Sequence, residues 1–117
     1  MQRRYRLTTK AQFEAVHRRG KSWAAPSLVL RLLPNGLDLN RFGFLVSKRV
    51  GIAVVRNRVK RRIREAIRLV HLKTGWDVVF IARSPAAQAD YHRLKNEVDG
   101  LLDRAGVVVE REKEGDD

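Results

Sequence analysis

The side chains best suited to chemistry in this sequence are cationic and lie close together. The nine residues 56–64 contain five arginines and one lysine, with no acidic residue among them. A guanidinium group presents a planar fork of donors that matches two phosphate oxygens, so this excess of arginine favours bidentate contacts with phosphate. Like charges this dense repel one another on a helix unless an anion neutralises them. The cluster therefore predicts binding to a polyanion.

Residue types that commonly carry enzymatic catalysis are scattered along the chain. His17, His71 and His92 lack the spacing of a metal site, and there is no cysteine. The five acidic residues before position 97 are isolated from one another, and no serine stands in a Gly-x-Ser-x-Gly sequence. From the residues alone we expect no catalytic side chain and no set of metal ligands.

Length and charge indicate one basic domain with an acidic end. The 117 residues carry a net charge of +12, and residues 97–117 hold three basic and eight acidic side chains. We expect a single nucleic-acid-binding domain over residues 1–107 and an acidic, flexible tail over residues 108–117. No apolar run is long enough to span a bilayer or to serve as a secretory signal, so the expected location is cytoplasmic.

Periodicity and turn residues predict the elements that position the cluster. In chain order these are a helix over 9–19, strands over 22–33 and 41–47, an extended piece or third strand over 48–52, a helix over 53–74, a strand over 76–82 and a helix over 88–105. The expected fold is an α+β sandwich of three helices on a mixed four-stranded sheet, in the order α-β-β-β-α-β-α.

On the predicted helix 53–74, apolar and cationic positions fall on different sides. An arc of about 120° holds the apolar positions Val55, Val59, Ile63, Ala66, Ile67 and Val70. The neighbouring arc holds Arg56, Asn57, Lys60, Arg61, Arg64 and Arg68. A helix lying on a membrane surface would need a broad exposed apolar face with large aromatic residues, which this helix lacks. Nucleic acid is therefore the favoured polyanion.

Two adjacent segments closely resemble the bacterial ribonuclease P protein subunit. The first is Phe44-Leu-Val-Ser-Lys-Arg-Val-Gly51, and the second is the Arg-Asn-Arg-x-Lys-Arg-x-x-Arg sequence from Arg56 to Arg64. The similarity extends to Arg6-Leu7, to Phe13 and Gly20, and to residues 79–83. It covers residues 3 to about 106, which is almost the whole predicted domain.

The resemblance implies a fold and a function that the residues alone do not. The family supplies the protein cofactor of a ribozyme that removes the 5′ leader of precursor tRNA, and the RNA subunit with Mg²⁺ performs the hydrolysis. The implied partners are that RNA subunit and precursor tRNA, with the protein a monomer in the complex, no membrane contact and no ion bound tightly by the protein. The family fold also implies a left-handed β-α-β crossover, against the usual right-handed preference.

The resemblance also assigns roles to residues of this chain. It implies RNA contacts at the motif positions Arg56, Asn57, Arg58, Lys60, Arg61 and Arg64. We expect the neighbouring cations Lys48, Arg49 and Arg68 to contact RNA with them. A cleft for the single-stranded leader would include Phe13, His17, Val29, Arg31 and Phe44. Two positions depart from the family pattern: His17 replaces a second aromatic residue, and Ile52 stands where many members have asparagine.

Two other functions fit the same composition. A ribosomal or general RNA-binding module would have a similar charge and fold class. A protein-only nuclease would also bind RNA, although the basic region almost lacks the carboxylates that hold Mg²⁺ in such enzymes. Binding that is specific for one RNA, or cleavage without any RNA subunit, would separate these alternatives.

Overall fold

Residues 5–111 are described by the computed structural model. Within this range the helices are α1 Lys10–Arg19, α2 Ala53–Arg68, a short 3₁₀ helix Ser84–Ala87 and α3 Tyr91–Ala105. Helix α1 begins with a capping box, because the Thr9 hydroxyl accepts from the Gln12 N–H and the Gln12 side chain accepts from the Thr9 N–H, both at 3.1 Å. Helix α3 ends at Gly106, whose φ of 74° suits glycine. The start of α1 and the end of α3 agree with the prediction.

Six strands form two sheets within the described residues. Their bounds are β1 Lys21–Ala24, β2 Leu28–Pro34, β3 Arg41–Leu45, β4 Val70–Leu72, β5 Trp76–Ala82 and β6 Val108–Arg111. The main sheet has the order β1-β2-β5-β3, and strands β4 and β6 form a separate antiparallel pair. In the main sheet β2 pairs antiparallel with β1 and β5, whereas β3 runs parallel to β5. The predicted mixed four-stranded sheet with three helices is confirmed.

Helix α2 connects the two parallel neighbours β3 and β5. These strands and the helix therefore form a β-α-β crossover unit, whose parallel pairing matches Phe44 with Phe80. The left hand of this crossover stays an expectation from the resemblance.

The prediction of one strand over residues 22–33 was wrong, because the chain reverses near its start. Ala24 and Val29 are partners across the β1–β2 hairpin, and the Ala25 N–H donates to the Leu28 carbonyl at 2.8 Å. Pro26 has no N–H to contribute to a sheet, and the Ser27 N–H donates instead to the Glu97 carboxylate at 2.8 Å. The fourth strand of the main sheet is therefore β1 of this hairpin, and not the predicted segment 48–52.

Other element boundaries also differ from the prediction: β3 ends at residue 45 and not 47, and α3 begins at residue 91 and not 88. Residues 48–50 form a turn rather than a strand, because the Val50 N–H donates to the Ser47 carbonyl at 3.0 Å. Helix α2 ends at Arg68 and not near residue 74, and Val70–Leu72 instead pairs with β6. Val70 continues the apolar stripe of the helix, so periodicity alone does not detect this exchange of a helical turn for a strand.

The two faces of the main sheet are covered differently. Helices α2 and α3 pack on one face, where a core cluster includes Leu30, Ile63, Phe80 and Leu102, all fully buried. Within residues 5–111, the other face is covered by α1 and by Leu7, through a smaller cluster around Val16. Since α1 has ten residues, it covers only part of that face. In this part of the chain, the rest of that face is open.

The last described strand corrects the prediction of a flexible tail beginning at residue 108. Val108–Arg111 pairs with β4, and the Arg111 guanidinium contacts Asp99 at 3.1 Å and Asp103 at 2.9 Å. Burial lowers the pKa of Arg111, but hydrogen bonds to Asp103 and Asp99 outweigh it and the pKa is raised overall. The rest of the predicted tail, 112–117, lies outside the described residues.

In the described part of the chain, no helix has both the length and the apolar character needed to cross a membrane.

Candidate nucleic-acid interface

The cationic residues of α2 divide into an inward-docked pair and an outward face. Arg58 Nη2 donates to the Ala87 carbonyl at 3.2 Å, and Arg62 Nη1 donates to the Ala89 carbonyl at 2.7 Å. Both guanidinium groups thereby join α2 to the segment between β5 and α3. The predicted RNA contact of Arg58 stays a prediction, and its guanidinium also has this structural contact.

The remaining polar positions of α2 form the arginine face, defined as Arg56, Asn57, Lys60, Arg61, Arg64 and Arg68. Asn57, Arg61, Arg64 and Arg68 are exposed, while Arg56 and Lys60 are half-buried. Arg56 Nε donates to the Gly51 carbonyl at 3.1 Å, which fixes its side chain at the start of the helix. Arg68 pairs with Glu65 at 3.1 Å. The surface otherwise presents positive charge in the arrangement that the sequence predicted.

The arginine face keeps its orientation because the opposite side of α2 is buried. Val59, Ile63 and Ala66 have no exposed surface, and Ile67 is buried beside them. Four such side chains on one stripe fix the rotation of the helix, so the cations cannot turn inward. The predicted apolar arc is confirmed for these residues.

Lys48 and Arg49 extend the positive surface beyond the start of α2. Both side chains are exposed in the turn that precedes the helix. Ile52 occupies the N-cap position of α2 without a side-chain hydrogen bond to the helix, and its side chain is 73% exposed. The amide groups at this helix start therefore have no side-chain cap, and the helix dipole adds to the positive potential near Lys48 and Arg49.

The open face of the sheet carries a row of partly exposed apolar side chains. Strand register aligns Val29 with Ile81 and Ile81 with Leu45. Val29 and Ile81 are half-buried, and Leu45 is 42% exposed. We call this row, together with the side chains along its edges, the sheet cleft. Its apolar floor is suited to contact with the flat faces of unpaired bases.

Helix α1 forms one wall of the sheet cleft. The ring of Phe13 lies directly over Gly43 of β3, where an added Cβ would come within 2.5 Å of Phe13 Cε1. Glycine is therefore required for this close approach of helix to strand. His17 lies one turn after Phe13 and is exposed.

Arg31 ties the end of α1 to the sheet. Its guanidinium donates to the Val16 carbonyl at 3.4 Å, to the Gly20 carbonyl at 3.3 Å and to the His17 carbonyl. A cation at the C-terminus of a helix stabilises the unsatisfied carbonyls and the negative end of the dipole. Arg31 is thus a structural cap whose charge also lies on the face that carries the cleft.

Phe44 is not part of the sheet cleft, contrary to the prediction. Side chains alternate along a strand, so Gly43 faces α1 while Phe44 points to the opposite face. There it packs against the main core, and the guanidinium carbon of Arg64 lies 6.0 Å from the centre of its ring. Phe44 therefore supports the arginine face through packing and a cation–π contact.

A polar crevice of about 410 Å³ adjoins the cleft where β3 and β5 end. Its lining includes Ser47, Arg49, Arg83 and Ser84. Neighbouring parallel strands place their carboxyl ends side by side, which is where open α/β sheets commonly bind ligands. Arg83, Leu45 and Ile81 are site residues that sequence reasoning missed, since only the strand register reveals that they meet.

A buried ion pair stabilises the opposite end of the same face. Arg41 donates to both carboxylate oxygens of Asp77 at 2.7 and 2.8 Å, and Asn35 Nδ2 adds a bond at 3.1 Å. The hydrogen bond to Asp77 raises the pKa of the Arg41 guanidinium. Asp77 is therefore engaged in structure. Among residues 5–111, no three histidine, aspartate or glutamate side chains come together as a metal site would need.

A cationic helix on one side of a half-covered sheet and an apolar cleft on the other define an α+β nucleic-acid-binding protein. Comparison with known proteins agrees with this class, since the family model described as Ribonuclease P matches residues 1–106. The ribonuclease P protein component of Roseiflexus castenholzii is 51% identical over 111 residues, covering 92% of this chain and 91% of the relative.

Solved structures give the same result. The RNase P protein of Staphylococcus aureus superposes with a TM-score of 0.80 at 32% identity, covering 88% of this chain and 96% of that one. The protein from Thermotoga maritima gives 0.75 at 29% identity, covering 85% and 96%. The chain therefore belongs to the ribonuclease P protein family, and its function is that of a protein component of ribonuclease P in tRNA processing. The resemblance noted in the sequence is confirmed.

Proposed function

We propose that this chain binds the RNA subunit of ribonuclease P through the arginine face and holds the 5′ leader of precursor tRNA in the sheet cleft. The observation that supports this division is the placement of the two surfaces on opposite faces of one sheet. The arginine face carries charge in excess and little apolar surface, whereas the cleft has an apolar floor with arginine at its end. These are the surfaces that a folded RNA backbone and an unpaired strand respectively require.

Binding to the RNA subunit would be dominated by phosphate contacts. Arg61 and Arg64 are exposed and project from a rigid, buried helix, so their forks are available for bidentate contacts. Each neutralised phosphate releases counterions, and the affinity should fall steeply with salt. Lys48 and Arg49 would extend this contact beyond the start of the helix.

The leader would lie along the row formed by Val29, Ile81 and Leu45. Bases would contact the apolar floor and the edge of Phe13, while Arg49 and Arg83 would meet the phosphates in the adjoining crevice. His17 stands where it can add a further ring to the wall. This arrangement selects single-stranded RNA because paired bases do not expose their faces.

The hydrolysis itself would be carried out by the RNA subunit with Mg²⁺. Among residues 5–111, no three histidine, aspartate or glutamate side chains come together as metal ligands would, and Asp77 is paired with Arg41. In this proposal the chain binds and positions RNA and takes no part in the chemical step. Its monomeric state in the complex and its cytoplasmic location stay predictions.

The first experiment is cleavage of precursor tRNA at low Mg²⁺ with the RNA subunit alone, the protein alone and both together. Accurate 5′ cleavage only with both would support the proposal. Cleavage by the protein alone would indicate a protein-only nuclease. If the folded protein binds RNA but never restores cleavage, a ribosomal or general RNA-binding module becomes the better assignment.

A second experiment tests the cleft through two matched leucines. Leu45 is 42% exposed in the cleft, and Leu37 is 45% exposed in the loop at the other end of β3. Leu45→Glu should weaken binding of substrates with a leader of several nucleotides by at least about fivefold, because an apolar contact with a base is lost and a negative charge faces the strand. Binding of leaderless tRNA should not change. Leu37→Glu should leave both affinities unchanged, and equal effects of the two variants would contradict the assignment of the cleft.

A further inference from the structure

A second cavity lies beside the arginine face, at the edge of the sheet formed by β3. Its volume is about 490 Å³, and its walls include Tyr5, Phe42, Arg61, Arg64 and Arg68. Two aliphatic side chains, from α2 and β4, complete the apolar part of the lining. The volume falls within the range of about 300–1,000 Å³ typical of sites for small molecules. We call this cavity the aromatic–arginine pocket.

Three elements hold the walls of this pocket in place. The three arginines project from one side of α2, whose opposite side is buried in the core. Phe42 belongs to the edge strand β3 and is half-buried against the same core. The chain carrying Tyr5 is attached to this edge, because the Leu7 N–H donates to the Phe42 carbonyl at 2.9 Å and Arg6 forms a parallel bridge with Phe42.

We infer that the aromatic–arginine pocket binds the base of one unpaired nucleotide of the RNA subunit. The base would lie against the rings of Tyr5 and Phe42, and its phosphate would meet Arg61 or Arg64 at the rim. This inference rests on the proposed function, since it places the nucleotide in the RNA that the arginine face contacts. It adds recognition of a base to a surface that otherwise contacts only phosphates.

The chemistry of the walls favours a nucleotide over other occupants. A bare phosphate would use the arginines but not the aromatic rings, whereas an apolar peptide would place three guanidinium groups against uncharged surface. A nucleotide satisfies both halves of the pocket, because aromatic rings stack on bases and arginine forks match phosphate oxygens. The one carboxylate in the lining, Glu65, is paired with Arg68 at 3.1 Å, which reduces its repulsion of an anion.

The first test uses the full chain and free nucleotides. Adenosine 5′-monophosphate, ribose 5-phosphate and inorganic phosphate are titrated separately against protein labelled for aromatic ¹³C NMR. We expect saturable shifts of the Tyr5 and Phe42 ring signals with adenosine 5′-monophosphate only. Equal ring shifts with ribose 5-phosphate would overturn the inference, because they would show binding of phosphate without the base.

The second test measures affinity for the RNA subunit with two aromatic-to-leucine variants. Phe42→Leu should weaken binding by about 5- to 150-fold, the range expected for one lost base stack, and should leave the salt dependence unchanged because no charge is removed. Phe42→Tyr should retain the affinity of the original chain. Trp23→Leu is the matched control, since Trp23 is a half-buried aromatic residue on β1, at the opposite edge of the sheet.

The outcomes separate this inference from the proposed function. If the original chain does not bind the RNA subunit, the proposed function fails and the inference fails with it. If the original chain binds and Phe42→Leu binds equally well, only the inference is overturned. A loss of affinity shared by Trp23→Leu would also overturn it, because the effect would then follow from weakened packing. Thermal unfolding of each variant confirms that it is folded at the temperature of the assay.

Discussion

Arg61 and Arg62 are adjacent and chemically identical, yet the structure predicts opposite effects of replacing them. Arg61 is exposed on the arginine face, whereas Arg62 is half-buried and donates to the Ala89 carbonyl at 2.7 Å. We predict that Arg61→Ala weakens binding to the RNA subunit and reduces its salt dependence without destabilising the fold. Arg62→Ala should destabilise the fold and leave the salt dependence of RNA binding unchanged.

The expected change in salt dependence for Arg61→Ala follows from the number of cations on the arginine face. Five Lys and Arg side chains lie there, and each phosphate contact contributes about 0.7–0.9 to the slope of log affinity against log salt. Taking about 0.8 for each contact, an increase from 50 to 200 mM salt should weaken binding by about 250-fold through this face. Without Arg61 the same increase should weaken binding by about 80-fold, so the salt effects on the two proteins should differ by about threefold.

The expected loss of stability for Arg62→Ala follows from the hydrogen bond that the guanidinium donates. Ala89 is only 3% exposed, so the bond from the guanidinium to its carbonyl is largely shielded from water. Loss of a hydrogen bond to a charged group should lower the free energy of unfolding by about 1.5–3 kcal/mol. The exposed Arg61 should change it by no more than about 0.5 kcal/mol.

Salt titrations of RNA-subunit binding and urea unfolding of both variants check these values. Arg93→Ala is a control, since Arg93 is an exposed arginine on α3 outside the proposed interface. Identical salt slopes for Arg61→Ala and Arg62→Ala would refute the division of α2 into an outward face and an inward-docked pair.

Three further predictions concern contacts that hold the site, and urea unfolding checks each of them. Gly43→Ala should lower the free energy of unfolding by about 1–3 kcal/mol and weaken leader binding, because the added Cβ displaces Phe13. A second change, Phe13→Leu, in the same chain should recover part of the stability. Arg41→Met should cost about 3–5 kcal/mol by leaving the Asp77 carboxylate buried without its cation, and adding Asp77→Leu should restore most of it. Arg111→Ala should lower the free energy of unfolding by about 1–3 kcal/mol, because the contacts of Arg111 with Asp99 and Asp103 attach β6 to α3, and an unchanged urea midpoint would contradict this role.

Elements whose signals are local were predictable from the sequence. The capping box at Thr9 and the left-handed Gly106 define helix ends through contacts within a few residues. The apolar run over residues 76–82 also predicted β5 with the bounds that the structure has. In each case the residues that determine the structure lie within the element itself or next to it.

Features that depend on pairing between distant segments were not predictable in the same way. Val70 fits the helical stripe of α2 but enters a strand because Arg111, far along the chain, is its partner. Phe44 and Gly43 differ by one position, and only the register with β5 shows which of them faces α1. A shift of one residue reverses the two faces, so the composition of β3 could not place Phe44.

The arginines of α2 show the same limit at the level of the site. Charge and periodicity distinguish cationic from apolar positions, and they correctly predicted a basic face. Periodicity leaves Arg58 and Arg62 outside the arc that holds Arg61 and Arg64, but it does not show that this pair bonds to the protein, because the carbonyls of Ala87 and Ala89 come from a different segment. The tertiary structure therefore engages two arginines of α2 in protein contacts that charge and periodicity do not predict.

The separation of the two proposed surfaces by the sheet determines how their contributions combine. Phe13 packs on one face of β3, while Arg61 projects from a helix packed on the other face. Because the sheet separates the two residues, their effects on precursor-tRNA affinity in the holoenzyme should add within about 0.5 kcal/mol. Phe13→Leu should act only on substrates that carry a leader, and Arg61→Ala should act equally with or without one. Strong coupling in the double variant would mean that leader and RNA subunit contact a common surface, and the two-face assignment would then be wrong.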